Sequence, residues 1–363
     1  FNVFLPCDHN SERNPAHHGK TQSNEAGCCF AQGGNEKSFP PFIFIRGVLY
    51  DKDMRIDENV SLKEHSSYRI EGNARFFAEA RDADALCQAI AFASDRRLPH
   101  FVLGGGTNLL ISDDGFDGVV VKPALRLLAS DDVQVRAGAG VPVPVLLEFA
   151  IENGLSGLEW AGGLPGTVGG AVRGNAGAFG GETKDVIAEV VSMDISGETP
   201  RTIRRAKGKC AFGYRTSIFK THSGKEVILE ATFALKKGDK KAVRDAIEEK
   251  IRYRTERHPM EYPNIGSIFK NVPLEHISLL LNKEFAPVAK QDPFPVVPTA
   301  HIISKAGLKG AQHGGAVVSE KHPNFIVNAG EAKASDVKTL IQLVKRMVLE
   351  KYEIVLEEEI IYV

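Results

Sequence analysis

Apolar positions recur along this chain with two periods. Between residues 82 and 97, Leu86, Ile90 and Ala93 fall on one helical face, and Asp82 ahead of them is a suitable N-cap. Helical spacing predicts a second helix over 143–153, where Pro144 is tolerated in a first turn, and a third over 240–256, with Val243, Ile247 and Ile251 in register. A fourth follows Ser335, read as its N-cap, with Val337, Leu340, Ile341, Val344, Met347 and Val348 facing a core. Short apolar or alternating runs predict strands at 75–80, 100–103, 119–122, 133–137 and 187–195, the last with Ile187, Val191, Met193 and Ile195 on one face. The chain closes on EIVLEEEIIYV, a strand in which alternation puts Glu357 and Glu359 on one face and Glu358 on the other. The pattern is α+β, with many short strands and no internal repeat.

Composition adds little but excludes much. The 363 residues are 43% hydrophobic and 25% charged, with a formal net charge of -1. That length supports two or three domains. A balanced charge predicts neither nucleic acid nor an anionic membrane surface as partner. No apolar run approaches the roughly 20 residues of a membrane span. Five cysteines, three of them in the first 30 residues, suggest a reducing, cytoplasmic setting without a disulfide framework. Residues 1–53 lack the regularity seen later and are expected to be a disordered leader. Their Cys and His residues form no C-x2-C or H-x3-H unit, so no metal site is expected. The chain opens with Phe, and the working protein is expected to begin near Met54.

Two glycine-rich loops carry the candidate chemistry. In FVLGGGTNLLISDDG (101–115) a strand runs into Gly104, Gly105 and Gly106. Successive glycines let backbone N–H groups converge on an anion, and Thr107 and Asn108 add donors. A plain β-turn is the other reading. The run is neither G-x-G-x-x-G nor a Walker A loop. The second stretch, AGGLPGTVGGAVRGNAGAFGGE (161–182), holds nine glycines in 22 residues. There Gly169, Gly170 and Gly177 would bring backbone against a phosphate or flat ring, and Asn175 would hydrogen-bond a ring edge. Two such loops suggest one elongated ligand held at two places.

Four further stretches complete a set: FGYRTSIFK (212–220), YPNIGSIFKN (262–271), KAGLKGAQHGGAVVSEKHPNFIVN (305–328) and LEEEI (356–360). In type and order they resemble the UDP-N-acetylenolpyruvoylglucosamine reductase family, over roughly residues 54–363. The resemblance implies a two-part FAD-binding fold of the vanillyl-alcohol oxidase type, with a C-terminal α/β substrate-binding domain. It implies NADPH-dependent reduction of UDP-N-acetylglucosamine enolpyruvate to UDP-N-acetylmuramate, in bacterial peptidoglycan synthesis. By resemblance Ser267 is the proton donor, Arg215 and Glu359 assist at the substrate carboxylate, and Tyr214 stands beside that arginine. Arg254 and Arg257 match basic positions near cofactor and substrate, and Asn271 and His322 match polar positions lining the substrate site. The glycine loops match the segments that wrap FAD. Tyr253 and Tyr262 are read as packing residues, and a monomer is expected.

The residue types suit that chemistry independently. Hydride addition to a double bond conjugated with a carboxylate develops charge on the carboxylate oxygens, which fixed donors stabilise. Arg215 offers a planar fork for them. Glu359 could donate only if protonated. Ser267 is a weak acid and needs cations nearby, for which Lys270 and Arg257 are candidates. Two alternatives share part of the pattern: an FAD oxidase of the same superfamily, which should lack GSIFKN and the terminal acidic strand, and a non-catalytic nucleotide-binding module.

Departures from the family pattern are Glu71 in place of a glycine, Arg173-Gly174 where larger residues are common, and Ile361 where arginine is usual. The short stretch between Phe219 and Gly266 lacks the tyrosine-bearing insertion of one subgroup. The domains expected are 54–122 and 123–245 for FAD, 246–350 for substrate, and 351–363 as a strand returning to the flavin.

Overall fold

The computed structural model describes Ile43–Ile45, Val48–Tyr50 and residues 54–363 apart from 198 and 292–293. Ile43–Ile45 and Val48–Tyr50 pair as an antiparallel hairpin, so the segment read as a disordered leader contains paired backbone. β-branched and aromatic residues favour that pairing. The rest of residues 1–53 lies outside the described residues.

A first sheet has the order Ile56–Ser61, Asn73–Ala80, Phe116–Pro123, His100–Val102. Its first pair is antiparallel, and the other two are parallel. The helix Ala83–Asp95 is N-capped by Asp82, whose carboxylate accepts from the Ala85 N–H at 2.8 Å. Leu86, Ala89, Ile90 and Ala93 bury its apolar face.

A second, antiparallel sheet has Ile187–Asp194 at its heart, flanked by Arg201–Ala206 and Glu226–Ala234, with Gln134–Gly138 and Leu128–Asp131 beyond. Two bulges interrupt Ile187–Asp194 against Glu226–Ala234. The first adds Ala188 to this strand and re-aims the side chains that follow, while the second adds Leu229 to its partner. The single apolar face expected there is therefore split. Ile187 and Val190 pack in the core of this sheet, while Met193 and Ile195 join the core beneath Ala83–Asp95.

The helix Lys240–Arg257 crosses the boundary expected at 246. Its Val243 and Ile247 are buried in the second core, but Ile251 is 42% exposed, contrary to the periodic reading. The helix runs past that core, and Ile251 lies against Gly163 instead.

The C-terminal region packs the helix Ala334–Tyr352 against three antiparallel strands, Gln312–His313, Ala316–Val318 and Ile326–Asn328. Ser335 is not the N-cap. It lies inside the helix, and Asp113, from the loop after the first glycine turn, accepts from the N–H groups of Ala334 (2.5 Å) and Ser335 (3.0 Å). A carboxylate there satisfies orphan donors and complements the helix dipole. Tyr68 is also anchored in this region: it is buried, and its hydroxyl donates to the Ile326 carbonyl at 2.7 Å. The chain then returns. Only Ile361–Tyr362 is regular strand, parallel to Leu109–Leu110 just past the first glycine turn.

Candidate functional site

The two glycine loops meet back to back. A Cβ on Gly105 would lie 2.6 Å from the Gly166 Cα, and one on Gly104 would lie 3.1 Å from Thr167 Oγ1. Gly106 has φ +65°, and a Cβ there would strike the His65 carbonyl. Gly105 and Gly106 are required by close approach of backbone to backbone, and Gly104 packs closely on the Thr167 side chain. Others are not. A Cβ on Gly174 meets nothing within 4 Å, and one on Gly170 meets only Thr167 Oγ1 at 3.7 Å. Gly170 and Gly174 line open space, as a bare wall for a ligand would.

That space is two cavities, of about 880 Å³ and about 330 Å³. Thr107, Asn108, Gly170, Gly174, Arg215 and Glu359 line both. Asn108 is fixed by its Nδ2, which donates to the Glu359 carbonyl at 3.0 Å, while the Ile361 N–H donates to the Asn108 carbonyl at 3.0 Å. Ile361, standing where arginine was expected, packs partly buried against the first glycine turn's apolar core and lines the smaller cavity. Glu71, the other departure, is exposed and pairs with Lys63 at 2.6 Å, away from both cavities.

Arg215 stands where the cavities join. Its φ is +55°, a conformation a non-glycine residue holds only when its surroundings impose it. Lys220 Nζ donates to the Arg215 carbonyl at 2.9 Å, and Arg215 Nη2 donates to the Gly177 carbonyl at 3.0 Å. Arg215 Nε sits 2.8 Å from Glu359 Oε1, and the guanidinium lies 5.3 Å from the Tyr214 ring centroid. Tyr214 is packed edge-on to Phe294, and burial raises its phenol pKa.

Ser267 faces the larger cavity from a strand-like segment whose backbone is held on two sides. Asn324 donates to the Phe269 carbonyl (2.8 Å) and accepts from its N–H (3.0 Å), and the Ile268 N–H donates to the Asn324 carbonyl (2.8 Å). From the other side the Glu359 N–H donates to the Ile268 carbonyl at 2.8 Å, and Phe269 bridges Glu358 antiparallel. The acidic run alternates as read: Glu359 pairs with Arg215, while Glu358 turns to Lys345 at 2.7 Å. Asn271 follows in the cavity wall and accepts from the Thr299 N–H at 3.2 Å.

Arg254, Arg257 and His322 line the larger cavity as expected. Arg254 Nε donates to the Gly162 carbonyl at 2.9 Å, but its buried Nη2 has no partner among the described residues. Arg257 stacks 4.4 Å from the Tyr253 ring centroid. Tyr253 is not a packing residue: it is 38% exposed, lines the cavity and meets Phe179 edge-on at 5.2 Å. Tyr262 is likewise exposed.

Two expectations fail here. Asn175 is fully buried and does not line either cavity. It ends the helix Val168–Gly174 in a left-handed conformation, φ 45°, donates to the Gly213 carbonyl (2.9 Å) and accepts from the Lys184 N–H (2.9 Å). A short amide tolerates that conformation and closes the cap, so Asn175 locks the loop of Arg215 to the glycine helix. Lys270 is the second. It pairs with exposed Glu357 and does not line the cavity with Ser267.

The motifs missed His258, Lys290 and Lys321, all in the larger cavity. His258 and His322 meet at 5.1 Å, with Phe325 against both. Burial first, then His322, Arg254, Lys321 and Lys290 for His258 and Lys290 for His322, hold each imidazole down to about 4. Both are neutral at pH 7. Below pH 6.5 the unfolded chain takes up protons that the folded chain refuses until about pH 4, so stability contributed above 6.5 is lost across that window. Thermal melting should fall steeply from pH 6.5 to 4, and H322Q should flatten that slope. An unchanged slope in H322Q would count against the pair.

The residues fit an anionic dinucleotide with a flat ring: a bare glycine wall, a buried guanidinium nitrogen with no partner among the described residues, and side chains over which a ring can lie. Fold and site together define a flavoprotein of the two-subdomain FAD-binding class with an added C-terminal domain, and residues 74–202 match the FAD binding domain family. Residues 258–363 match the UDP-N-acetylenolpyruvoylglucosamine reductase C-terminal domain. Similar proteins named UDP-N-acetylenolpyruvoylglucosamine reductase include that of Carboxydothermus hydrogenoformans, 37% identical over 84% of this chain and 92% of its own length. Another is that of Fervidobacterium nodosum, 38% identical over 83% and 90%. The crystal structure of the Thermus caldophilus UDP-N-acetylenolpyruvylglucosamine reductase aligns with TM-score 0.67 and 29% identity, over 85% of this chain and 99% of that one. The chain belongs to the UDP-N-acetylenolpyruvoylglucosamine reductase family.

Proposed function

We propose that this chain reduces the enolpyruvyl ether of UDP-N-acetylglucosamine to UDP-N-acetylmuramate with NADPH, in the cytoplasmic stage of peptidoglycan synthesis. The observation that carries this reading is the convergence of Arg215, Glu359 and Ser267 on one cavity bounded by the glycine loops. Gly104 to Asn108, Gly170, Gly174 and Arg254 would hold FAD, which would supply hydride transfer from NADPH to the substrate.

The remaining work falls to side chains. Arg215 binds the substrate carboxylate and holds the charge that develops on it when the terminal methylene carbon of the enolpyruvyl group gains hydride. Glu359 aims the guanidinium through Nε. Ser267 Oγ–H gives its proton to the carbon that bears the carboxylate, so hydride and proton together saturate the double bond. The serine oxyanion left behind is stabilised by the cations lining the cavity, among them Arg257, Lys290 and Lys321. The same basic side chains, with Asn271 and His322, suit the diphosphate and sugar of the substrate. The backbone contacts of Asn175 position this assembly without touching substrate.

The test is direct. Purified protein should carry a flavin absorbance spectrum, and NADPH should be consumed in proportion to enolpyruvyl substrate added. Alcohol-dependent consumption of oxygen, with no NADPH oxidation in response to the enolpyruvyl ether, would favour an oxidase and reject this reading.

A further inference from the structure

Arg173 directly precedes Gly174, the position at which the sequence departs from the resembled family. It lies in the last turn of the helix Val168–Gly174 and lines the smaller cavity. Its Nη2 donates to Ser223 Oγ at 3.1 Å. Among the described residues no carboxylate lies within ion-pair distance of it. Burial alone depresses its pKa, the signature of an uncompensated cation. Lys220 lines the same cavity, partly buried, with Nζ donating to the Arg215 carbonyl and no carboxylate partner among the described residues. The two cations are close enough that Arg173 adds to the depression of Lys220, behind burial and Lys270, while Glu359 and, more weakly, Glu357 oppose it.

The carboxylates that reach this cavity are already paired. Glu226 is taken by Arg205 and Ser192, and Glu359 by Arg215. Desolvated charge is costly unless it is paired, so two adjacent cations here require an anion from outside the chain. The opposite wall is the backbone of Gly104 to Gly106, and Gly174 beside Arg173 leaves room for the anion to approach.

We infer that Arg173 and Lys220 form a cationic pair that binds the diphosphate of a dinucleotide in the smaller cavity. The inference rests on the proposed function only in naming FAD and NADPH as the two dinucleotides concerned. An arginine fork matches two phosphate oxygens, and Lys220 adds a point charge beside it.

The experiment uses the full chain, stripped of flavin, with arginine replaced by glutamine (R173Q) or lysine (R173K). FAD and riboflavin binding are read by quenching of flavin fluorescence, and inorganic pyrophosphate binding by calorimetry. R173Q should weaken FAD about 10- to 100-fold, as expected for a lost charge-assisted hydrogen bond. Riboflavin, which has no phosphate, should bind equally to both proteins. The gap between wild type and R173Q should narrow as salt rises, and R173K should bind FAD more tightly than R173Q. A rise of the same size in the KM for NADPH, with FAD binding unchanged, assigns the pair to the hydride donor's diphosphate and also supports the inference. Equal loss of riboflavin and FAD, or no change in either dinucleotide, overturns it. A wild-type chain that binds pyrophosphate through Arg173 but no flavin would reject the proposed function and leave the cationic pair standing.

Discussion

S267A should lose the step that consumes the enolpyruvyl substrate while keeping the step that consumes NADPH. The expected fall is on the order of 10²–10⁴-fold, the usual contribution of a positioned proton donor. The backbone around Ser267 gives the test its clarity. Asn324 grips both polar groups of Phe269, and the Glu359 N–H holds the Ile268 carbonyl, so alanine removes one oxygen without releasing the segment. Bleaching of the flavin by NADPH should stay within a few-fold of wild type in rapid mixing, whereas recovery on adding substrate should slow by the full factor. Equal slowing of both halves would mean that Ser267 shapes the site without giving up a proton.

The elements with a clean period were legible in the sequence, and those shaped by distant contacts were not. Ala83–Asp95 could be read with its cap because Asp82 acts on its own helix. Ser335 misled for the opposite reason: the carboxylate that caps Ala334–Tyr352 comes from Asp113, more than 200 residues earlier. The split face of Ile187–Asp194 depends on bulges set by its neighbouring strand. Within the site, residues in dense motifs were findable, and Arg215, Ser267 and Glu359 meet as their spacing alone could not have told. His258 and Lys290 carry no motif, Lys321 lies in one without standing out there, and only the fold brings the three together. Asn175 shows the converse. It stood out as a polar residue among glycines, yet the left-handed cap it supplies is a backbone task. The glycines divide the same way, some facing ligand space and others facing each other, a distinction only packing reveals.

R215K should reduce kcat/KM by about 10²–10³-fold, the range seen when a fixed donor to developing charge is lost. Formal charge is unchanged in this variant, so the prediction rests on geometry. A guanidinium has five N–H groups. One Nε–H is directed at Glu359 and one Nη2–H at the Gly177 carbonyl, which leaves three for the substrate. An ammonium has three donors from a single nitrogen and cannot hold two walls of the site and grip a carboxylate as well. The loss should fall mainly on kcat, because the charge on the carboxylate oxygens is greatest as hydride arrives. E359A should reproduce part of it by freeing Nε, and E359Q, whose amide oxygen can still accept from Nε, should retain more activity than E359A. A lysine variant with wild-type kcat/KM would show that charge alone suffices. An E359Q enzyme weaker than E359A would show that the Glu359 carboxyl does more than aim its neighbour.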